Sequence, residues 1–222
     1  MKYDRKPSRP NRYDVSGNIE ARYIDPEQTV MANKKGITDL PTLEVEEERA
    51  LAHAYRTLLA EVLEDTPMSV ALIRHIHETV FGELYEWAGR WRSVVISKPG
   101  TTWPPPAYLD ASMQQFEREV LWKYPISALR TDDAFVHAAA EIQGEFLAIH
   151  PFREGNARTI KLLVNLMALQ TGRPLLAYDE SPEGRERYIE AAKAAILMNY
   201  DLLEDVIRQA LHRARGEPEA TP

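Results

Sequence analysis

Cysteine is absent from the 222 residues, which excludes disulfides, thiolate zinc sites and cysteine nucleophiles together. No apolar run approaches the roughly 20 residues that cross a bilayer. The opening Met1-Lys2-Tyr3-Asp4-Arg5-Lys6-Pro7 has no apolar stretch and does not read as a secretory signal. Basic residues are the minority: 27 Lys and Arg against 34 Asp and Glu leave a net charge of −7. An acidic balance argues against nucleic acid as the main partner, because phosphate contacts need a basic face. Internal repeats and low-complexity tracts are also missing. What remains is the composition of a folded chain, 44% hydrophobic and 27% charged, enough for a sizeable core. The expectation is a cytoplasmic protein of one domain or two, without a membrane partner.

The pattern along the chain divides it into an arm (1–41), a helical domain (42–215) and a tail (216–222). The arm begins with Lys2, Arg5, Lys6, Arg9 and Arg12 against Asp4, and Pro7 and Pro10 break any helix there. Two readings fit it, a solvated basic tail or an anchor for an acidic partner. From Tyr13 to Leu40 apolar residues are sparse, so that stretch is expected to wrap over the core. Helical periodicity starts at Thr42, an expected N-cap, and continues through Leu51, Ala54, Leu58 and Val62. A second helix follows Ser69. Val94-Val95-Ile96 is the one convincing strand pattern. Residues 97–107, with four prolines and a glycine, predict a hairpin or flap ending in a proline corner. Leu109 to Leu121 is helical again. A helix capped by Thr131 ends at His150, because Pro151 pushes its predecessor out of the α region. Another runs from Asn156 to a stop at Gly172, and one or two more lie between Pro182 and Arg215. The fold class predicted is all-α with one small β element.

Chemistry concentrates in His150-Pro151-Phe152-Arg153-Glu154-Gly155-Asn156-Ala157-Arg158-Thr159-Ile160-Lys161. A helix N-terminus presents unpaired N–H groups and positive dipole, so Gly155, Asn156 and Ala157 form a cradle for an anion. Arg158 and Lys161, about one turn apart, are expected to share a face and clamp further phosphates. A carboxylate such as Glu154 beside polyphosphate is a natural Mg²⁺ ligand, and His150 could accept a hydroxyl proton. Taken singly, each residue also has a plainer reading: a histidine at a helix end, a first-turn acid, a solvated basic face.

This run resembles the signature of the Fic/Doc family, H-x-F-x-[D/E]-G-N-G-R-x-x-R, which His150, Phe152, Glu154, Gly155, Asn156 and Arg158 match. Phe81-Gly82-Glu83-Leu84-Tyr85-Glu86-Trp87-Ala88-Gly89-Arg90-Trp91-Arg92 is similar to the segment leading into the family's flap, and Ser97 to Ala107 looks like the flap. The resemblance covers roughly 45–210. It implies a helical Fic-like catalytic domain that transfers AMP from ATP, with Mg²⁺, to a Tyr, Ser or Thr hydroxyl of a target protein. By that likeness His150 is the base, Phe152 fixes the loop and Glu154 holds the metal. Gly155, Asn156, Ala157, Arg158 and Lys161 would bind phosphates, with Lys98, Thr101 and Thr102 of the flap facing the nucleotide. The flap, about Ile96 to Trp103, would align the target segment by strand-like pairing.

Two positions depart from the signature. Ala157 replaces its second glycine and Lys161 its second arginine, keeping charge but losing the bidentate fork. A Fic-fold phosphotransferase and a weakly active, toxin-like binding module held by an antitoxin or other inhibitory partner are the alternative readings. The family's inhibitory [S/T]-x-x-x-E-[G/N] helix has a partial match at Thr42 to Glu47, which would set Glu46 against Lys161. His75 and His77, two residues apart on a helix, point about 200° apart and cannot share a metal ion. Trp87, Trp91 and Trp103 are expected to pack around the flap base.

Overall fold

The computed structural model describes residues 18–98 and 101–217. The basic cluster of the arm and the last five residues of the tail lie outside the described residues. The first helix, α1 (Leu40–Glu61), begins two residues before the expected cap at Thr42. Asp39 takes the capping role instead, its carboxylate accepting from the Thr42 N–H at 3.0 Å. Pro41 in the first turn has the backbone angle a helix needs and no N–H to leave unpaired. The second helix, α2 (Val70–Phe81), is capped by Ser69 as the sequence predicts, with Oγ accepting from the Leu72 N–H at 3.1 Å. Its buried side carries Ile73, Ile76, His77, Val80 and Phe81.

The strand expected at Val94–Ile96 does not form. The pairing lies just beyond it, in an antiparallel hairpin of β1 (Ser97–Lys98) and β2 (Thr101–Thr102), with Ser97 opposite Thr102 and Lys98 opposite Thr101. Val95 is 64% exposed, and the Val94 carbonyl is taken by the Arg92 guanidinium at 2.9 Å. The β-branched run forms no strand of its own; only its last residue reaches the hairpin, the Ile96 carbonyl accepting from the Trp103 N–H at 3.5 Å. After the proline corner come α3 (Leu109–Phe116) and a wider π-helical turn over Glu117–Leu121.

The centre of the molecule is α4 (Asp132–Ile149), capped by Thr131. It packs against α3, α5 (Asn156–Gln170), α6 (Pro182–Ile196) and α7 (Asp201–Arg215), while α2 bridges α1 and α5. Phe135, Ala138, Ala139, Ile142 and Phe146 of α4 are buried against Ile160, Leu163, Val164 and Met167 of α5. Gly144 is the contact point with α6, since a Cβ there would sit 2.8 Å from that of Ala195. Gly172 at φ +75° ends the α5 segment, and Gly216 at φ +70° ends α7.

The described part of the arm wraps over this bundle. Val30 is 1% exposed, and the Lys34 N–H donates to the Leu84 carbonyl at 2.8 Å. A short 3-10 turn, Ile19–Ala21, brings Glu20 into the interior. Among the described residues no helix is long and apolar enough to cross a membrane.

Candidate active site

The connection between α4 and α5 is shaped by a conflict at its first residue. Pro151 denies His150 the helical region, and His150 adopts the left-handed conformation, φ 51° and ψ 59°, while its N–H still closes the helix on the Phe146 carbonyl. A non-glycine residue held there costs about 1–3 kcal/mol and persists only where its surroundings fix it. The fixing group is Arg92, buried to 2% exposure. Its Nε donates to the His150 carbonyl at 2.9 Å, Nη1 to Val94 and Nη2 to Pro104 at 2.7 Å. Its own N–H donates to the Pro151 carbonyl at 2.8 Å. One guanidinium therefore ties both roots of the flap to the backbone of His150.

The imidazole of His150 lies against the Trp103 ring, centroids 4.1 Å apart, and Trp103 is itself locked by donating Nε1–H to the Leu147 carbonyl at 2.9 Å. His150 Nδ1 is enclosed without a partner. Burial pushes this imidazole down to about 4; the Leu147 carbonyl opposes that shift, and the charges of Lys98 and Arg92 add to it. It is neutral at pH 7.

Beyond Pro151 the loop turns inward. Phe152 is fully buried, and its N–H and carbonyl are both bonded, at 2.9 Å, by the side chain of Asn156. The ring stacks on His77, centroids 3.7 Å apart and 14° from parallel. His77 Nδ1 accepts from the Gly89 N–H at 2.9 Å, so the proton sits on Nε2, which donates to the Glu154 carbonyl at 3.1 Å. Burial pushes His77 down to about 3, and it serves as a neutral hydrogen-bonding spacer between α2 and the loop. Gly155 follows at φ +80°, its Cα facing the Phe81 ring so closely that a Cβ would stand 2.3 Å from it.

No side chain caps α5, so its first amides remain available to an anion. The Gly155 N–H is the exception, donating to Glu154 Oε1 at 3.0 Å. Glu154 is half exposed and 3.7 Å from Arg158 Nη2. The other end of Arg158 is held by α1: Nη1 lies 2.5 Å from Glu47 Oε2, and Glu47 Oε1 accepts from the Tyr85 hydroxyl at 2.5 Å. The guanidinium lies over the Phe81 ring, 4.7 Å from its centroid.

The connection thus brings together His150, Glu154, Gly155, Asn156, Ala157 and Arg158. Lys98, Thr101 and Thr102 sit on the hairpin, with Lys98 exposed and Thr101 half-buried. Lys161 is elsewhere. Three residues on, about 60° short of a full turn from Arg158, its Nζ lies 4.4 Å from the Tyr178 ring centroid and 3.9 Å from that of Tyr188. The two cations do not share a partner face. Glu46 does not meet Lys161 either; it bonds Lys35 at 2.6 Å and Arg49 at 2.5 Å. Glu47, Tyr85, His77 and Arg92 escape the sequence reading as site components. The trace that could have found Tyr85 and Arg92 is the dense run of aromatic and basic residues at 85–92, too irregular for either secondary-structure period.

A family profile described as Fic/DOC family matches residues 67–168, from just before α2 to near the end of α5. The chain is 30% identical over 189 residues to protein adenylyltransferase VbhT of Bartonella schoenbuchensis, covering 85% of this chain and 38% of that protein. It is 28% identical over 173 residues to the probable protein adenylyltransferase y4lH of Sinorhizobium fredii, covering 78% and 86%. The chain thus spans well under half the length of the first relative and most of the second. Among solved structures, the BepC protein of Bartonella tribocorum with bound AMPPNP is similar in fold, with TM-score 0.67 at 20% identity over 86% of this chain and 96% of that one. The chain thus carries a Fic/DOC family domain, at residues 67–168.

Proposed function

We propose that this chain is a protein adenylyltransferase, moving AMP from ATP to a hydroxyl side chain of a target protein. The observation that carries the reading is one short connection that sets a neutral imidazole, His150, before the uncapped N-terminus of α5. In the step itself the target hydroxyl oxygen attacks the α-phosphorus, the bond to the β-phosphate oxygen breaks, and diphosphate leaves. His150, being unprotonated at pH 7, can take the hydroxyl proton. The free amides of α5 and Arg158 face developing negative charge with little reorganisation, because Asn156, His77 and Glu47 hold them in place. The relatives named as adenylyltransferases and the neighbour holding AMPPNP support ATP as the donor.

Magnesium fits the donor set. Among the described residues no three acidic or histidine side chains converge, so Glu154 would be the one carboxylate and phosphates and water would supply the rest, a set that suits Mg²⁺. When bound, the ion supplies charge neutralisation between the phosphates. The hairpin offers the target a short strand edge in Ser97–Lys98 and Thr101–Thr102, where pairing is through backbone and tolerant of sequence.

The test is incubation with a lysate, Mg²⁺ and either α- or γ-labelled ATP. Label on protein from the α-position only, abolished in His150→Ala, is the expected result. Label from the γ-position would establish phosphate transfer instead, and no label from either would leave a binding module.

A further inference from the structure

An imidazole takes a proton from a substrate only through a nitrogen that the substrate can reach and that carries a lone pair. In His150 the enclosed nitrogen is Nδ1, which has no hydrogen-bond partner of normal geometry. Nε2 is thus the nitrogen left for the cleft, and the neutral ring must hold its one proton on Nδ1. Close to the ring is the Leu147 carbonyl, about one turn back along α4, which favours the protonated imidazole. An oxygen lone pair attracts an N–H and repels a bare nitrogen. That carbonyl already accepts from Trp103 Nε1–H at 2.9 Å. Trp103 is buried, its ring 4.1 Å from the imidazole between centroids and 31° from parallel. Its backbone N–H meets the Ile96 carbonyl at 3.5 Å across the foot of the hairpin.

We propose, resting on the reading of His150 as the base, that Trp103 is a positioning residue for it: indole ring and N–H together fix the imidazole with its proton on Nδ1 and the Nε2 lone pair toward the cleft. The ring is the wall against rotation about the Cβ–Cγ bond of His150, which would carry Nδ1 away from the carbonyl and Nε2 away from the cleft. The indole N–H acts differently. It takes the well-aligned share of the Leu147 carbonyl and leaves Nδ1–H an off-axis remainder. A nitrogen whose proton is poorly hydrogen-bonded makes the ring a weaker base, and so keeps it unprotonated and ready. Among the described residues the charged groups acting on this ring are Lys98 on β1 and Arg92 ahead of the flap, and both stay in place when the indole is changed.

Long-range nitrogen–proton NMR of the full chain with labelled histidine tests this, His150 being assigned by the signals lost in His150→Ala. At pH 7 the parent is expected to show a protonated Nδ1 and an unprotonated Nε2. Trp103→Phe keeps a stacking ring and removes the indole N–H, so Nδ1–H gains the carbonyl and the protonation midpoint of His150 rises by about one pH unit. The acid limb of α-label transfer to lysate protein moves up with it. Benzothienylalanine at position 103, which puts sulfur in place of the N–H in a ring of the same shape, gives the same rise and serves where phenylalanine does not fill the site. A merely structural tryptophan would lower Tm and leave both midpoints where they were, and that result would overturn the proposal. So would a parent His150 with its proton on Nε2. Either leaves the adenylyltransferase reading standing, whereas the expected tautomer with no α-label transfer by the parent would overturn that reading and the role of Trp103 with it.

Discussion

Replacing Arg92 by methionine removes a single guanidinium while retaining most of its stem. Three carbonyls, those of His150, Val94 and Pro104, lose their donor. A buried acceptor stripped of its partner costs about 1–3 kcal/mol, which sums to about 3–9 kcal/mol. Water can reach half-buried His150, Val94 and Pro104, and the desolvation of the charge itself is relieved, so the lower part of that range applies, about 3–5 kcal/mol. For a domain of this length each kcal/mol moves Tm by about 2–4 °C, giving a fall of roughly 6–20 °C. The loss is also local. Amides of the flap roots and of His150 should exchange with solvent far faster, while those of α6 and α7, remote from Arg92, should follow only the change in global stability. Thermal melts and hydrogen exchange read these two effects separately. A Tm within 2 °C of the parent, or flap exchange unchanged, would refute the role assigned to this residue.

Gly155→Ala should destabilise by about 2–4 kcal/mol, combining a left-handed backbone with a Cβ driven into the Phe81 ring; a urea midpoint equal to the parent's would contradict it. Glu47→Ala leaves the Tyr85 hydroxyl and Arg158 without their carboxylate and should cost about 2–3 kcal/mol, read by the same denaturation. Acid should weaken the fold through His77 and His150. Their native values, about 3 and about 4, lie below the ordinary 6.5, so as pH falls below 6.5 the unfolded chain binds protons that the native state refuses. Stability is fully present above that value and declines toward pH 4, by about 2 kcal/mol per histidine between pH 7 and pH 5. His150→Ala should flatten the slope by about one proton, and an unchanged slope would remove His150 from the account.

Much of the scaffold was legible because its signals are local. Ser69 and Thr131 cap helices since a hydroxyl before an apolar periodicity has one good use. Pro151 dictates the end of α4 through sterics with its immediate neighbour. The candidate site's connection was legible for the same reason, lying within twelve consecutive residues. Apart from the first helix cap, the errors are tertiary. Asp39 and Thr42 compete for one cap, and Pro41 tips the outcome. Glu46 and Glu47 are adjacent, about 100° apart on α1, and only the packing of α1 on α2 decides which one faces Arg158, 111 positions away. The diversion of Lys161 needs Tyr178 and Tyr188, which no pattern near the signature reveals. Val94–Ile96 reads as a strand by composition, yet a strand requires a partner, and Arg92 claims the backbone first.

The arm gains a mechanical meaning from its two attachments at Glu20. The carboxylate accepts from the Ser93 N–H at 2.8 Å, just ahead of the flap, while the carbonyl accepts from Arg153 at 2.8 Å, inside the connection that carries His150. Glu20 thereby joins the segment just ahead of the flap to the connection that carries His150, so a displacement of this one residue would be felt at both.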